Sequence, residues 1–152
     1  MNNIVVTELN MVARLYRSGM LKYFSGEELS FYITDFCYNH RSPNFINDRQ
    51  IAKKLVEDGI LQVVKLSESQ MLLVDKWHNY YRPKFVVKSI TALVFAGDKK
   101  FKLFSDFELL RETAAADFGV RSINKEWLVM TLVNDISVMG EKLDMELVRQ
   151  LL

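Results

Sequence analysis

Three side chains capable of chemistry fall within Asp35 to His40: Asp35, Cys37 and His40. Cys37 and His40 are three apart, a spacing that puts both on one face of a helix, where they would form a thiolate–imidazole pair or supply two ligands to a metal. One thiol and one imidazole are too few for a closed metal site. Cys37 also falls on an apolar stripe, where a free cysteine behaves as a small buried hydrophobe. The six glycines, at 19, 26, 59, 97, 119 and 140, are too widely spaced for a phosphate-cradling loop. No G-x-S-x-G, H-E-x-x-H or C-x-x-C motif occurs, and there are only two histidines. No catalytic residue, metal or cofactor is expected, so the chain reads as a binding protein and not an enzyme.

Binding chemistry concentrates elsewhere. Arg41, Arg49, Gln50, Lys53, Lys54 and Lys65, beside His40, are residue types that meet nucleic acid. Arginine and glutamine pair with guanine and adenine edges, and lysines meet phosphates. The same residues also suit the solvated side of an amphipathic helix, and Asp48, Glu57 and Asp58 dilute their field. WHNYYRPK (Trp77–Lys84) interleaves aromatic and basic residues. That pattern serves either to stack bases of a single strand or to clasp two halves of the chain, with Trp77 and Tyr80 packed under Arg82.

The elements that must position these residues follow from spacing and caps. Leu9, Val12, Ala13 and Tyr16 recur at helical spacing up to Gly19. Ser25 and Glu28 form an S-x-x-E capping box, which predicts a second helix with the stripe Leu29, Tyr32, Ile33, Phe36 and Cys37. His40–Phe45 is then a loop, because Ser42 precedes Pro43. A third helix, capped by Asn47 or Asp48, turns Ile51, Ala52, Leu55 and Val56 inward and closes at Gly59. ILQVVKL, a polar SESQ turn and MLLVDKW read as a hairpin.

Three helices followed by a hairpin over Glu8 to Trp77 resemble the winged helix–turn–helix superfamily. The resemblance implies a third helix presented to a ligand, commonly a DNA major groove, with the hairpin as a wing. FSGEEL, LVEDGILQVV and NYYR also resemble a DEP domain, a winged-helix relative that docks to proteins or membranes. After Pro83, FVVKSITALVFA and KKFKLF flank Gly97-Asp98, a step suited to a tight hairpin turn. A capping box at Ser105 and Glu108 opens a helix bearing Phe107, Leu110, Ala114 and Phe118 that stops at Gly119. Lys125 to Met139 form another helix closed by Gly140, and DMELVRQLL a short terminal one. The apolar run WLVMTLV is either a buried helix or a homodimer seam around Trp127 to Met139.

The expected class is therefore α+β. A winged-helix-like domain spans residues 1–82, and a small α+β domain with a hairpin and two to three helices, 83–152, packs against it. With 152 residues, 49% apolar, the chain has material for a sizeable core. One cysteine and the lack of a membrane-length apolar run point to the cytoplasm, and a net charge of +1 makes any basic footprint local. The expected function is non-catalytic binding of double-stranded DNA in regulation of transcription or replication. Its rival is a protein-interaction module, an adaptor or inhibitor that touches no DNA.

Overall fold

A computed structural model describes residues 2–23, 29–138 and 149 of the chain. Asn2–Val6 forms β1, whose β-branched Ile4, Val5 and Val6 are all buried. A strand apolar on both faces belongs in the middle of a parallel sheet with helices on either side. β2 (Leu29–Thr34), β3 (Leu61–Val64), β4 (Lys102–Phe104) and β5 (Ser122–Ile123) complete that sheet in the order β3-β2-β1-β4-β5. Every pairing is parallel, with Val5 in register with Tyr32 on one side and Leu103 on the other. The helices are α1 (Leu9–Arg17), α2 (Asp35–Tyr38), α3 (Phe45–Glu57), α4 (Glu68–Tyr81), α5 (Val87–Lys99), α6 (Glu108–Phe118) and α7 (Lys125–Val138).

Right-handed crossovers dictate the layers. From β1 the chain steps through α1 to β2 and through α3 to β3 in one direction. From β4 it steps through α6 to β5 in the other, which puts α6 on the opposite face from α1 and α3. α1 packs on α3, while α5 packs on α4 and α6 and against β1, β2 and β4. One continuous hydrophobic core runs from Ile4 to Val129. The two halves expected on either side of Arg82–Pro83 thus share a single sheet and core, because β4 pairs directly with β1. No described helix is long and apolar enough to cross a membrane.

Mixed helix and strand are present as expected, but the winged-helix order is not the order observed. Residues 29–34 form strand β2 and not the second helix. Leu29, Tyr32 and Ile33 lie in a short, almost continuously apolar run, and such a run satisfies helical spacing and a buried strand alike. Its expected Ser25–Glu28 cap lies outside the described residues, as do Gly140 and all of the expected terminal helix except Arg149.

The first expected hairpin ends after one strand. Ser67 Oγ accepts the Gln70 amide at 3.2 Å and Gln70 Oε1 accepts the Ser67 amide at 2.8 Å. SESQ is therefore a capping box that starts α4, and MLLVDKW is helical. The second expected hairpin is absent because residues 87–99 are α5. Its β-branched residues raise strand propensity, but burial of the helix from Ile90 to Ala96 overrides that preference. Gly97 serves packing and not a turn, since a Cβ there would meet the Phe118 ring at 3.4 Å.

Other expectations hold with shifts of a few residues. α1 ends before Gly19, α3 before Gly59 and α6 at Gly119, each glycine having positive φ. α3 begins three or four residues earlier than expected, after Asn44, and Asp48 is a buried partner of Arg17 at 2.9 Å instead of a cap. Val56, expected to face inward, is exposed. Ser105 Oγ accepts the Phe107 amide, so the Ser105–Glu108 box is not formed. In α7, Leu128 and Val129 are buried and Met130 is exposed.

Candidate binding cleft at the carboxyl edge of the sheet

A parallel sheet collects the carboxyl ends of its strands along one edge. Where strand order reverses, the chain leaves neighbouring strands toward opposite faces, and a crevice opens between them. The reversal here lies between β1 and β4, and the neighbouring β1 and β2 end on the same edge. The residues brought to this edge are those that follow each strand: Glu8 after β1, Asp35 after β2, Lys65 after β3 and Asp106 after β4.

A cleft of about 80 Å³ lies at this edge, lined by Glu8, Asn10, Cys37, His40, Ser42 and Lys88 among others. Its volume suits a group such as a phosphate better than a whole drug-sized ligand. Lys88 enters from the first turn of α5, its ammonium 3.6 Å from Glu8. The Lys88 side chain is 17% exposed and the Glu8 side chain 53%, so the pair sits at the mouth of the cleft. The side-chain oxygen of Asn10 is buried without a hydrogen-bond partner.

Behind Lys88 lies a buried polar lock. The Lys88 carbonyl accepts from Thr91 Oγ1 at 2.6 Å and from Cys37 Sγ at 3.3 Å. Thr34 and Thr91 hydroxyls are 2.8 Å apart, and Thr34 Oγ1 caps α2 by accepting the Cys37 amide at 3.3 Å. Burial pushes the Cys37 thiol up from its ordinary value, against the opposing pull of the Thr34 hydrogen bond and the Lys88 charge. Cys37 is thus a neutral donor that fixes the first turn of α5. Among the described residues, no three His, Cys, Asp or Glu side chains are grouped to hold a metal ion.

Cys37 and His40 both line this cleft, although α2 ends at Tyr38 and so they do not share a helix face, and the structure separates the other expected contacts. Arg41 is exposed in the loop after α2, its guanidinium 5.3 Å from the Phe45 ring centre. Arg49 is committed within the protein: it donates to Asn39 Oδ1 at 3.0 Å and lies 3.9 Å from the Tyr38 ring centre. Gln50 and Lys53 are exposed on α3, and Lys65 is exposed at the end of β3. Lys54 lies 5.6 Å from the Tyr16 ring centre, and its hydrogen bond to Tyr16, aided by charge interactions with Tyr16, Asp58 and Glu57, raises its pKa. α3 has 13 residues and is about 20 Å long at 1.5 Å per residue. Arg41 and Lys65 therefore share the carboxyl edge with the cleft, while Lys53 and Lys54 lie toward the opposite end of α3.

Sequence reasoning missed Glu8, Asn10 and Lys88. Their only link is the pairing of β1 with β2 and the packing of α5 on both, and no local spacing records that. No model of a known protein family matches the chain, and no curated protein sequence matches it. Fold and cleft together define a doubly wound protein of five parallel strands with a polar cleft at its carboxyl edge.

Proposed function

We propose that the chain binds nucleic acid without altering it, seating one phosphate in the cleft beside Lys88 and holding neighbouring phosphates with Arg41 and Lys65. The observation that carries this reading is the position of Lys88: a cation at the mouth of a cleft beside the carboxyl ends of β1 and β2, on the edge that also carries Arg41 and Lys65. Its pairing with the half-exposed Glu8 is of the kind that contributes little in water, so an incoming phosphate can displace that carboxylate. His40 and Ser42 add polar groups at the same rim. Non-catalytic binding is favoured because the one thiol in the cleft is buried, held toward its neutral form and engaged with a backbone carbonyl.

The test is a fluorescence-anisotropy titration of the chain against a labelled duplex and a labelled single strand at several salt concentrations. Saturable binding whose logarithm falls linearly with the logarithm of salt is the expected result. No binding to either probe at low salt would overturn the reading. Docking to a protein is the second reading, favoured by one observation: Leu72 and Leu73 on α4 are 70% and 42% exposed.

A further inference from the structure

The segment Trp77–Lys84 carries a chain of ring contacts that the cleft does not use. Trp77 lies over Tyr81 and against Phe118, with centroids 5.5 and 5.0 Å away, and these rings, Tyr81 buried and the other two half-buried, form the base. From Tyr81, contacts run to Tyr80 at 5.0 Å and to Phe85 at 5.4 Å, and from Phe85 to Phe107 at 6.0 Å. Both ends of this chain are in solvent: Tyr80 is 72% exposed and Phe107 51%. Tyr80 packs edge-on against Trp77 and Tyr81, which holds its exposed ring in a fixed orientation.

Cations surround the Tyr80 end. Arg82 and Lys84 are exposed, the Lys84 ammonium is 5.6 Å from the Phe85 ring centre, and the Lys76 ammonium is 5.3 Å from that of Trp77. Asp117 is engaged, because its carboxylate accepts the Tyr81 hydroxyl. Asp106 and Glu108 flank Phe107, which makes the Tyr80 end the more cationic of the two. Phe85 lies three residues before Lys88 in the chain, and Phe107 follows β4 on the carboxyl edge of the sheet.

We infer that the Tyr80–Phe107 surface binds single-stranded nucleic acid, with bases stacked on the exposed rings and phosphates held by Arg82 and Lys84. This rests on the reading of the cleft as a phosphate site, and it adds that the preferred strand is unpaired. Every base offers a π-face, so stacking tolerates sequence, whereas the bases of a duplex are already stacked on each other. Charge complementarity chooses this occupant over a protein helix, for which rings interleaved with cations are a poor match to an apolar face.

The test compares the full chain with Tyr80→Ala and Tyr80→Phe, titrated with a labelled oligothymidylate of about 12 nucleotides and with a duplex of equal length. Alanine is expected to weaken single-strand binding about tenfold, within the range measured for base–aromatic stacking, while phenylalanine retains it and duplex binding is unchanged. Phe107→Ala, at a second exposed ring, is expected to act in the same direction with a smaller effect. If both strand types bind, salt-dependently, and Tyr80→Ala changes neither or both equally, the stacking inference fails and the phosphate reading stands. If neither probe binds the unaltered chain, both fail.

Discussion

The Thr34 hydroxyl lies 2.8 Å from that of Thr91, and the pair is one link in a hydrogen-bond chain with a single direction. Thr91 gives its one hydroxyl proton to the Lys88 carbonyl, so Thr34 must donate to Thr91 and accept from the Cys37 amide. Both residues are completely buried. The two hydroxyls thereby tie the end of β2 to the first turn of α5, and they set where Lys88 stands.

Replacing either threonine with valine leaves its partners short of a bond in a buried site, and each change is expected to cost about 1–3 kcal/mol. Urea unfolding measures this. The double variant should cost less than the sum of the singles, since both break the same link. Two changes that each cost under about 0.5 kcal/mol would mean that the chain of bonds contributes little.

Alkaline pH should weaken the fold. Burial raises the Cys37 thiol from 9.0, and burial followed by the Asp117 interaction raises the Tyr81 phenol from 10.0. Each group holds its proton more firmly folded than unfolded. The stability from this is complete below about pH 9 and is lost as pH rises through and beyond the unfolded values. Urea midpoints should fall above about pH 9. Cys37→Ala should flatten the start of the decline and Tyr81→Phe its continuation. A decline identical in both variants would assign it to other groups.

Glu8→Gln should tighten binding of nucleic acid by about twofold to fivefold, the scale of a surface ion pair, because it removes the carboxylate that competes for Lys88. Anisotropy against one probe at fixed salt is the measurement. Weaker binding would mean that Glu8 itself touches the ligand.

Position along α3 separates two sets of cations. Arg41→Ala with Lys65→Ala is expected to weaken binding and to reduce the salt slope by about two, one for each phosphate left without its cation. Lys53→Ala with Lys54→Ala should change affinity by less than about twofold, because those side chains lie away from the cleft. The reverse ranking would move the binding surface to α3.

What is legible in the sequence is what local chemistry fixes. The stops at Gly19, Gly59 and Gly119 can be read from the chain because a left-handed residue has few alternatives to glycine. Cys37 and His40 do line one cleft, but α2 ends at Tyr38, so the helix face their spacing suggested is not what joins them. Strands escape such a reading where burial on both faces removes the alternation that marks a half-exposed strand, as in residues 29–34. SESQ carries the S-x-x-Q pattern of a capping box, but a run of small polar residues after a strand fits a turn equally well. Lys88 meets Glu8 only through the parallel crossovers between them, and one sequence carries no mark of that meeting.

The most direct test of the phosphate cleft is titration of Lys88→Ala and Lys88→Arg with the same labelled probe over a salt series. Alanine is expected to weaken binding and to lower the salt slope by about one, with arginine keeping most of both. An unchanged affinity and slope in a Lys88→Ala chain that unfolds at the same urea concentration as the original would contradict a phosphate site at Lys88.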